Sequence, residues 1–289
     1  MKALVTGGAG FIGTNLIKRL LSDDYDVVSI DNYSTGKKEN HQDGCLYYDY
    51  DLSYNYVRDD GDRYDVIFHL AALPRIQPSF DNPLETFNAN VLSTLHILEY
   101  ARQKNEKERW ATEIPVIYAG SSSVHGGAYK NPYTFTKWQS DKLCHMYSEI
   151  YEVPVNVCRF YNVYGPHELT EGEYCTVVGI FERQYKNKEP LTITWDGEQR
   201  RDFTHIDDIV DGLVLTAECK SWGLTLELGR GKNYSINELA DMFGKDYPKE
   251  YIDRRPGETK STLCDTGLAY SVVGYQPRKN IEDYINKIK

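Results

Sequence analysis

An α/β fold built on a doubly wound parallel sheet follows from three features of the sequence. Strand-like and helix-like segments alternate through the first half, the order expected of parallel strands joined by crossover helices. The N-terminus runs a short apolar strand straight into Gly7-x-x-Gly10-x-x-Gly13 and an amphipathic helix over Asn15 to Leu21. Beyond Tyr164-Gly165-Pro166 the regularity gives way to mixed short elements, so a smaller C-terminal domain is expected over the C-terminal edge of the sheet. The expected division is residues 1–165 for the sheet domain and 166–289 mainly for the second, with some segments returning to the first.

Each element has a local reason. A strand that turns tightly into a helix needs a residue tolerant of unusual φ, one without Cβ where a phosphate approaches, and one where helix meets strand. Gly7, Gly10 and Gly13 supply these in order, and the helix that follows offers unpaired N–H groups and the positive end of its dipole to an anion. Val27-Val28-Ser29-Ile30-Asp31 is the next strand, and it closes on an acid about 20 residues on, as a dinucleotide site requires. A carboxylate there accepts hydrogen bonds from an adenosine ribose and repels a 2′-phosphate, so NAD is expected over NADP in a Rossmann-type domain. Further strands are expected at Leu46 to Tyr48, Val66 to Leu70, Pro115 to Ala119 and Val155 to Phe160. Helices are expected around Leu84 to Gln103 and Tyr133 to Tyr151, from apolar spacings of three and four such as Phe87, Val91, Leu95 and Leu98.

Composition removes several classes. A chain of 289 residues has ample area for a packed core. No apolar run approaches the ~20 residues of a membrane span, and the first residues enter a strand without a signal-peptide pattern. A cytoplasmic protein with no membrane association is expected. The six cysteines show no C-x-x-C spacing, which argues against a zinc site or a disulfide framework, and no metal is expected. A net charge of −10 without a basic stripe makes nucleic acid an unsuitable partner.

The chemistry is expected where Tyr118-Ala119-Gly120-Ser121-Ser122-Ser123-Val124 ends a strand and Tyr133-x-x-x-Lys137 opens a helix. Spacing four puts Tyr133 and Lys137 on one helical face. An ammonium beside a phenol lowers a pKa that is normally ~10, toward the range of a general base, and a serine within reach shares the proton. Tyr-x-x-x-Lys occurs four times, at Tyr33, Tyr100, Tyr133 and Tyr275. Only Tyr133 follows a strand end carrying Ser121, at the edge where parallel sheets bind ligands.

Taken in order, these motifs are joined by Asp51-Leu52, His69-Leu70-Ala71-Ala72, Asn90-Val91, Arg159-Phe160-Tyr161-Asn162-Val163-Tyr164-Gly165-Pro166, Arg201-Asp202-Phe203 and Arg255-Pro256-Gly257-Glu258. Together with Thr6 to Gly13 and Asp31-Asn32 they resemble the extended short-chain dehydrogenases/reductases, in the nucleotide-sugar epimerase and dehydratase branch. The resemblance covers nearly the whole chain. It implies that Phe11 and Ile12 belong with the glycines in the cofactor site, and Asn32 with Asp31. Asp51 and Leu52 would flank the adenine, Leu70, Ala71 and Ala72 pass under the cofactor, and Asn90 help hold the site. Ser121, Tyr133 and Lys137 would be catalytic, with Tyr133 and Lys137 also on the cofactor. Asn162, Arg201 and Arg255 would bind the substrate diphosphate, guanidinium forks matching phosphate oxygens, and Val177 would contact the substrate. Thr262, seven positions after Arg255, would stand against the sugar C2 substituent. Subunits of the branch pair through the helices matching Leu84 to Gln103 and Tyr133 to Tyr151, so a homodimer is expected.

Within the branch, dehydratases resemble this pattern but carry an Asp-Glu pair directly after the catalytic hydroxyl, where this chain has Ser122 and Ser123. The 4-epimerases of UDP-glucose and UDP-N-acetylglucosamine, which need no such acid, are the best match. A dehydratase, decarboxylase or reductase, or a non-enzymatic NAD-sensing module, stands as the alternative. Two departures concern the pocket wall: the stretch between Ser121 and Tyr133 is short, and His125 stands where a tyrosine is usual. Thr204 and Asp207 fit a capping box for the following helix, with His205 structural.

Overall fold

The computed structural model describes residues 1–57, 63–107 and 113–289. Seven parallel strands form one sheet: β1 (Lys2–Thr6), β2 (Asp26–Asp31), β3 (Cys45–Asp49), β4 (Val66–His69), β5 (Val116–Ser121), β6 (Val155–Phe160) and β11 (Thr225–Leu228). Their order is β11-β6-β5-β4-β1-β2-β3, so the winding direction reverses between β1 and β4. That reversal opens a crevice at the C-terminal strand ends, where open parallel sheets take ligands.

The inner strands β1, β2, β4, β5 and β6 are largely buried and read as near-continuous apolar runs, while the edge strands β3 and β11 are partly exposed. On one face α1 (Phe11–Ser22) and α7 (Ile206–Ala217) pack Leu16, Ile17, Ile209 and Leu213 against Ala3, Val5 and Phe68. On the other, α4 (Ser93–Lys107) and α5 (Pro132–Tyr151) set Ile97, Leu98, Cys144 and Tyr147 against Leu4, Ile67 and Val157. A third core joins α6 (Val177–Lys186), α8 (Ile236–Phe243) and α10 (Ile281–Ile288) around Phe181, Leu239 and Ile285.

Three local expectations are revised. The helix expected from Leu84 is interrupted: α3 (Pro83–Phe87) leads into a π-helical turn over Asn88–Leu92 before α4 begins. The widened turn admits Asn90, which is fully buried; its Oδ1 accepts the Leu73 N–H at 2.8 Å, and its Nδ2 donates to Thr136 Oγ1 at 3.0 Å. Leaving such buried groups unpaired costs about 1–3 kcal/mol each, which outweighs the poorer helix geometry. Second, β11 lies in the stretch where regularity is expected to fail, and it extends the sheet beside β6. Its alternation is only four residues long, too short to signal a strand. Third, His205 rather than Thr204 caps α7, its Nδ1 accepting the Asp207 N–H at 3.1 Å. Thr204 is drawn into a strand, β10 (Thr204–His205), beside β7 (Val163–Tyr164). Among the described residues no helix is long and apolar enough to cross a membrane.

Candidate active site

The crevice at the β1/β4 reversal deepens into one cavity of about 1250 Å³ that runs from the glycine turn across the ends of β4 and β5 to α6. Its floor depends on close backbone approach. Gly7 has φ +72°, and a Cβ there would lie 2.9 Å from the Ala71 nitrogen at the end of β4; a Cβ on Gly13 would lie 2.2 Å from the Gly7 carbonyl oxygen. No side chain fits at either place. Thr6 Oγ1 and His69 Nδ1, 2.8 Å apart, fasten the two strand ends together, and burial pushes His69 down to about 3, so it stays neutral.

At the β2 end, Asp31 accepts the Ala9 N–H at 2.9 Å and the Tyr33 N–H at 2.8 Å. Burial raises its pKa, opposed by these two bonds. Asn32 donates to Asp51 at 3.1 Å, joining the second and third strand ends. Burial alone would raise Asp51, but hydrogen bonds from Ser53 and Asn32 hold it below the usual carboxylate range. Neither Lys37 nor Lys38 lines the cavity; Lys38 faces Asp49 and the Tyr33 ring.

At the other end, the Tyr133 hydroxyl donates to Ser121 Oγ at 3.2 Å, and Ser121 donates to Ser123 Oγ at 3.0 Å. Asn131 caps α5 by accepting the Thr134 N–H at 2.8 Å, and Pro132 occupies the first helical position, so the helix that carries Tyr133 starts at a defined residue. Lys137 Nζ donates to the Ala119 carbonyl at 2.9 Å and lies 5.0 Å from the centre of the Tyr118 ring. Burial brings Lys137 down to about 8, opposed by Asp141 one turn along α5. Burial raises the Tyr133 phenol, while the Ser121 hydrogen bond and the positive charge of Arg75 pull it down. Arg75 is thus a cation whose field favours the phenolate, and one of the three Lys137 donors is taken by the Ala119 carbonyl on β5.

Of the residues expected in the site, all but one line this single cavity: Gly7, Gly10, Phe11, Ile12, Gly13, Asp31, Asn32, Asp51, Leu52, Leu70, Ala71, Ala72, Ser121, Tyr133, Lys137, Asn162, Val177, Arg201, Arg255 and Thr262. Asn90 is the exception; it lies behind the wall and holds the Leu73 backbone from the far side. Arg201 pairs with Glu258 at 3.5 Å, and Thr262 Oγ1 accepts from Asn162 Nδ2 at 3.3 Å. His125 closes the short segment by meeting Glu227 at 3.0 Å, and Glu227 also receives Arg159 at 3.0 Å. Sequence reasoning missed Arg75, which holds φ +94° at the start of α2 (Ile76–Asp81), a conformation that costs about 1–3 kcal/mol for a residue with a Cβ. No motif signals such a residue, because its backbone angle is imposed by the turn it joins.

A model of the NAD dependent epimerase/dehydratase family matches residues 3–225. The chain belongs to that family. A UDP-glucose 4-epimerase of Mycolicibacterium smegmatis is 30% identical over 315 residues, spanning 99% of this chain and 97% of the relative. The solved UDP-N-acetylglucosamine 4-epimerase from Methanobrevibacter ruminantium, in complex with UDP-N-acetylmuramic acid, superposes with a TM-score of 0.89 at 28% identity, covering 99% of this chain and 96% of that one. The UDP-glucuronic acid 4-epimerase from Bacillus cereus, in complex with UDP-glucuronic acid and NAD, gives 0.86 at 29% identity over 100% of both chains.

For a member of this family the cofactor is NAD, and the cavity fits it. A Cβ on Gly10 would meet only the Gly7 carbonyl, at 3.3 Å, so its other side is open to the cleft. Gly10 caps α1 without a side chain, leaving first-turn N–H groups for a diphosphate. Asp31 keeps acceptor capacity beyond its two backbone bonds. Asp31→Ala is expected to weaken NAD binding and relax discrimination against NADP in calorimetry; unchanged affinity for both dinucleotides would contradict this placement.

Proposed function

We propose that the protein inverts C4 of a UDP-sugar through a transient 4-keto sugar, as an NAD-dependent 4-epimerase. The observation that carries this reading is the Tyr133 to Ser121 hydrogen bond of 3.2 Å, in the same cavity as the glycine turn and Asp31 on one side and Arg201 and Arg255 on the other. NAD, when bound, supplies the acceptor and donor of the C4 hydride. Tyr133, as the phenolate, takes the proton from the sugar O4 and returns it, and Ser121 holds O4 in line. Lys137 serves the cofactor ribose. Asn162, Arg201 and Arg255 hold the diphosphate while the sugar turns over, and Val177 contacts the substrate, so residues 166–289 mainly form the substrate domain.

Ser122 and Ser123 favour this reaction over loss of water, since no carboxylate follows Ser121 to protonate a leaving hydroxyl. We also infer a homodimer paired through α4 and α5, because α5 leaves Met146, Ile150 and Tyr151 exposed. The six cysteines are free thiols, which suits the reducing cytoplasm in which we place it.

Tyr133→Phe is expected to lower kcat by roughly 10²- to 10⁴-fold on the best UDP-sugar while NAD stays bound. Near-normal turnover would remove Tyr133 from the mechanism, and a product lighter by one water would replace the epimerase with a dehydratase. At the sugar C2 position a threonine leaves room for an N-acetyl group. UDP-N-acetylglucosamine and UDP-N-acetylgalactosamine should therefore interconvert, and Thr262→Tyr should suppress them more than UDP-glucose and UDP-galactose; rejection of N-acetylated sugars by the unmutated protein would refute this gate. Light scattering should return twice the chain mass, and a monomer would exclude the pairing.

A further inference from the structure

Arg75 is a charged group in the cavity to which the proposed chemistry assigns no ligand. Its Nε donates to the Tyr174 carbonyl at 3.0 Å, and among the described residues its guanidinium forms no other hydrogen bond and no ion pair. Arg75 is partly exposed to the cavity, and the surrounding protein lowers its pKa by desolvation. Glu168 is the acid that acts on it, but Glu168 hydrogen-bonds other partners: Oε1 accepts the Gly165 N–H at 3.3 Å and Oε2 the Thr176 hydroxyl. Burial pushes Glu168 up to about 7, so at neutral pH it offsets the guanidinium only in part. A cation held in this way, on a backbone angle that itself costs stability, lacks an anion facing it.

The position says which part of a ligand supplies that anion. Under the epimerase reading, on which this inference rests, the NAD diphosphate belongs to the glycine turn and the substrate diphosphate to Arg201 and Arg255. Arg75 instead stands by Tyr133. Its charge acts on the phenol, and Ser79, on the helix that Arg75 begins, accepts the Tyr133 backbone N–H at 3.1 Å. The same helix is tied to the Arg255 loop by Gln77, which donates to the Pro256 carbonyl at 2.9 Å. Arg75 is thus held beside the sugar ring, and Tyr133 addresses C4. In a uronic acid the carboxylate is carried on C5, the atom next to C4. A planar guanidinium fork matches a carboxylate in shape and charge. We propose that Arg75 binds the carboxylate of a UDP-uronate, so that this site prefers UDP-glucuronate and UDP-galacturonate over the neutral hexoses.

The test compares UDP-glucuronate with UDP-glucose on the purified protein with NAD, by kcat/KM and by calorimetric affinity. The expected result is kcat/KM at least ~10-fold higher for UDP-glucuronate, with Arg75→Gln reducing that ratio by ~10- to 100-fold through KM, the range of a charge-assisted hydrogen bond. Arg75→Lys should restore part of it. Arg75→Gly relieves the backbone angle and, with its fold checked by circular dichroism, should lose the preference as Arg75→Gln does. UDP-glucose used or bound as well as UDP-glucuronate would overturn the proposal while leaving the epimerase reading in place. A loss in Arg75→Gln equal for both sugars would also overturn it, since that marks a role in the fold or on Tyr133. Tighter binding of UDP-glucuronate that depends on Arg75, without epimerisation of any UDP-sugar, would support the carboxylate site and overturn the epimerase reading instead.

Discussion

The site depends first on the contact between the Gly7 turn and the end of β4. Where the winding reverses, no crossover helix covers the strand ends, and two backbones come within van der Waals contact across the gap. The absence of a side chain at Gly7 permits that contact, Gly13 lets α1 close against the same turn, and Thr6 with His69 holds the strand ends from below. With the turn seated there, the start of α1 points into the cleft. A bulkier residue at either glycine would have to displace backbone, not a flexible side chain: the end of β4 for Gly7, and the Gly7–Gly8 turn for Gly13.

The reacting end rests on a second constraint, the placement of α5 across β5. Asn131 and Pro132 set where that helix begins, Asn90 and Ser140 bind it to the π-helical turn, and Arg159 meets Asp141 at 2.7 Å from β6. Tyr133, Lys137 and Asp141 follow one another at spacing four along its inner face, next to the Ser121 strand end. Burial of this face sets opposite tendencies on the two groups, raising the phenol and lowering the lysine. Charges and hydrogen bonds from other elements then decide how far each moves. Arg75 and Ser121 act on Tyr133, and Asp141 acts on Lys137.

Much of this architecture is legible in the order of residues. The glycine triplet, Asp31, the Ser121 strand end and Tyr133 with Lys137 stand out because each is a local pattern with a local cause: a tight turn, a strand end, one face of a helix. Arg201, Arg255, Asn162 and Thr262 follow from the family resemblance, and they do line the same cavity although they come from separate segments. The interruption of the helix at Asn88 is not legible, since its cause is the unpaired backbone of Leu73 in a different loop. Nor is β11, which becomes a strand because β6 offers it an edge.

The sequence by itself determined the sheet-and-helix alternation, the dinucleotide turn, and the residues able to exchange a proton, because those properties depend on neighbours within a few positions. Only the tertiary structure decided which charges face one another. It turned Lys137 to the Ala119 carbonyl, set Asn90 behind the wall, and brought Arg75 beside Tyr133 without an anion of its own. The field at a buried group is summed over every element packed around it, and that sum is written in the fold, not in the order of residues along the chain.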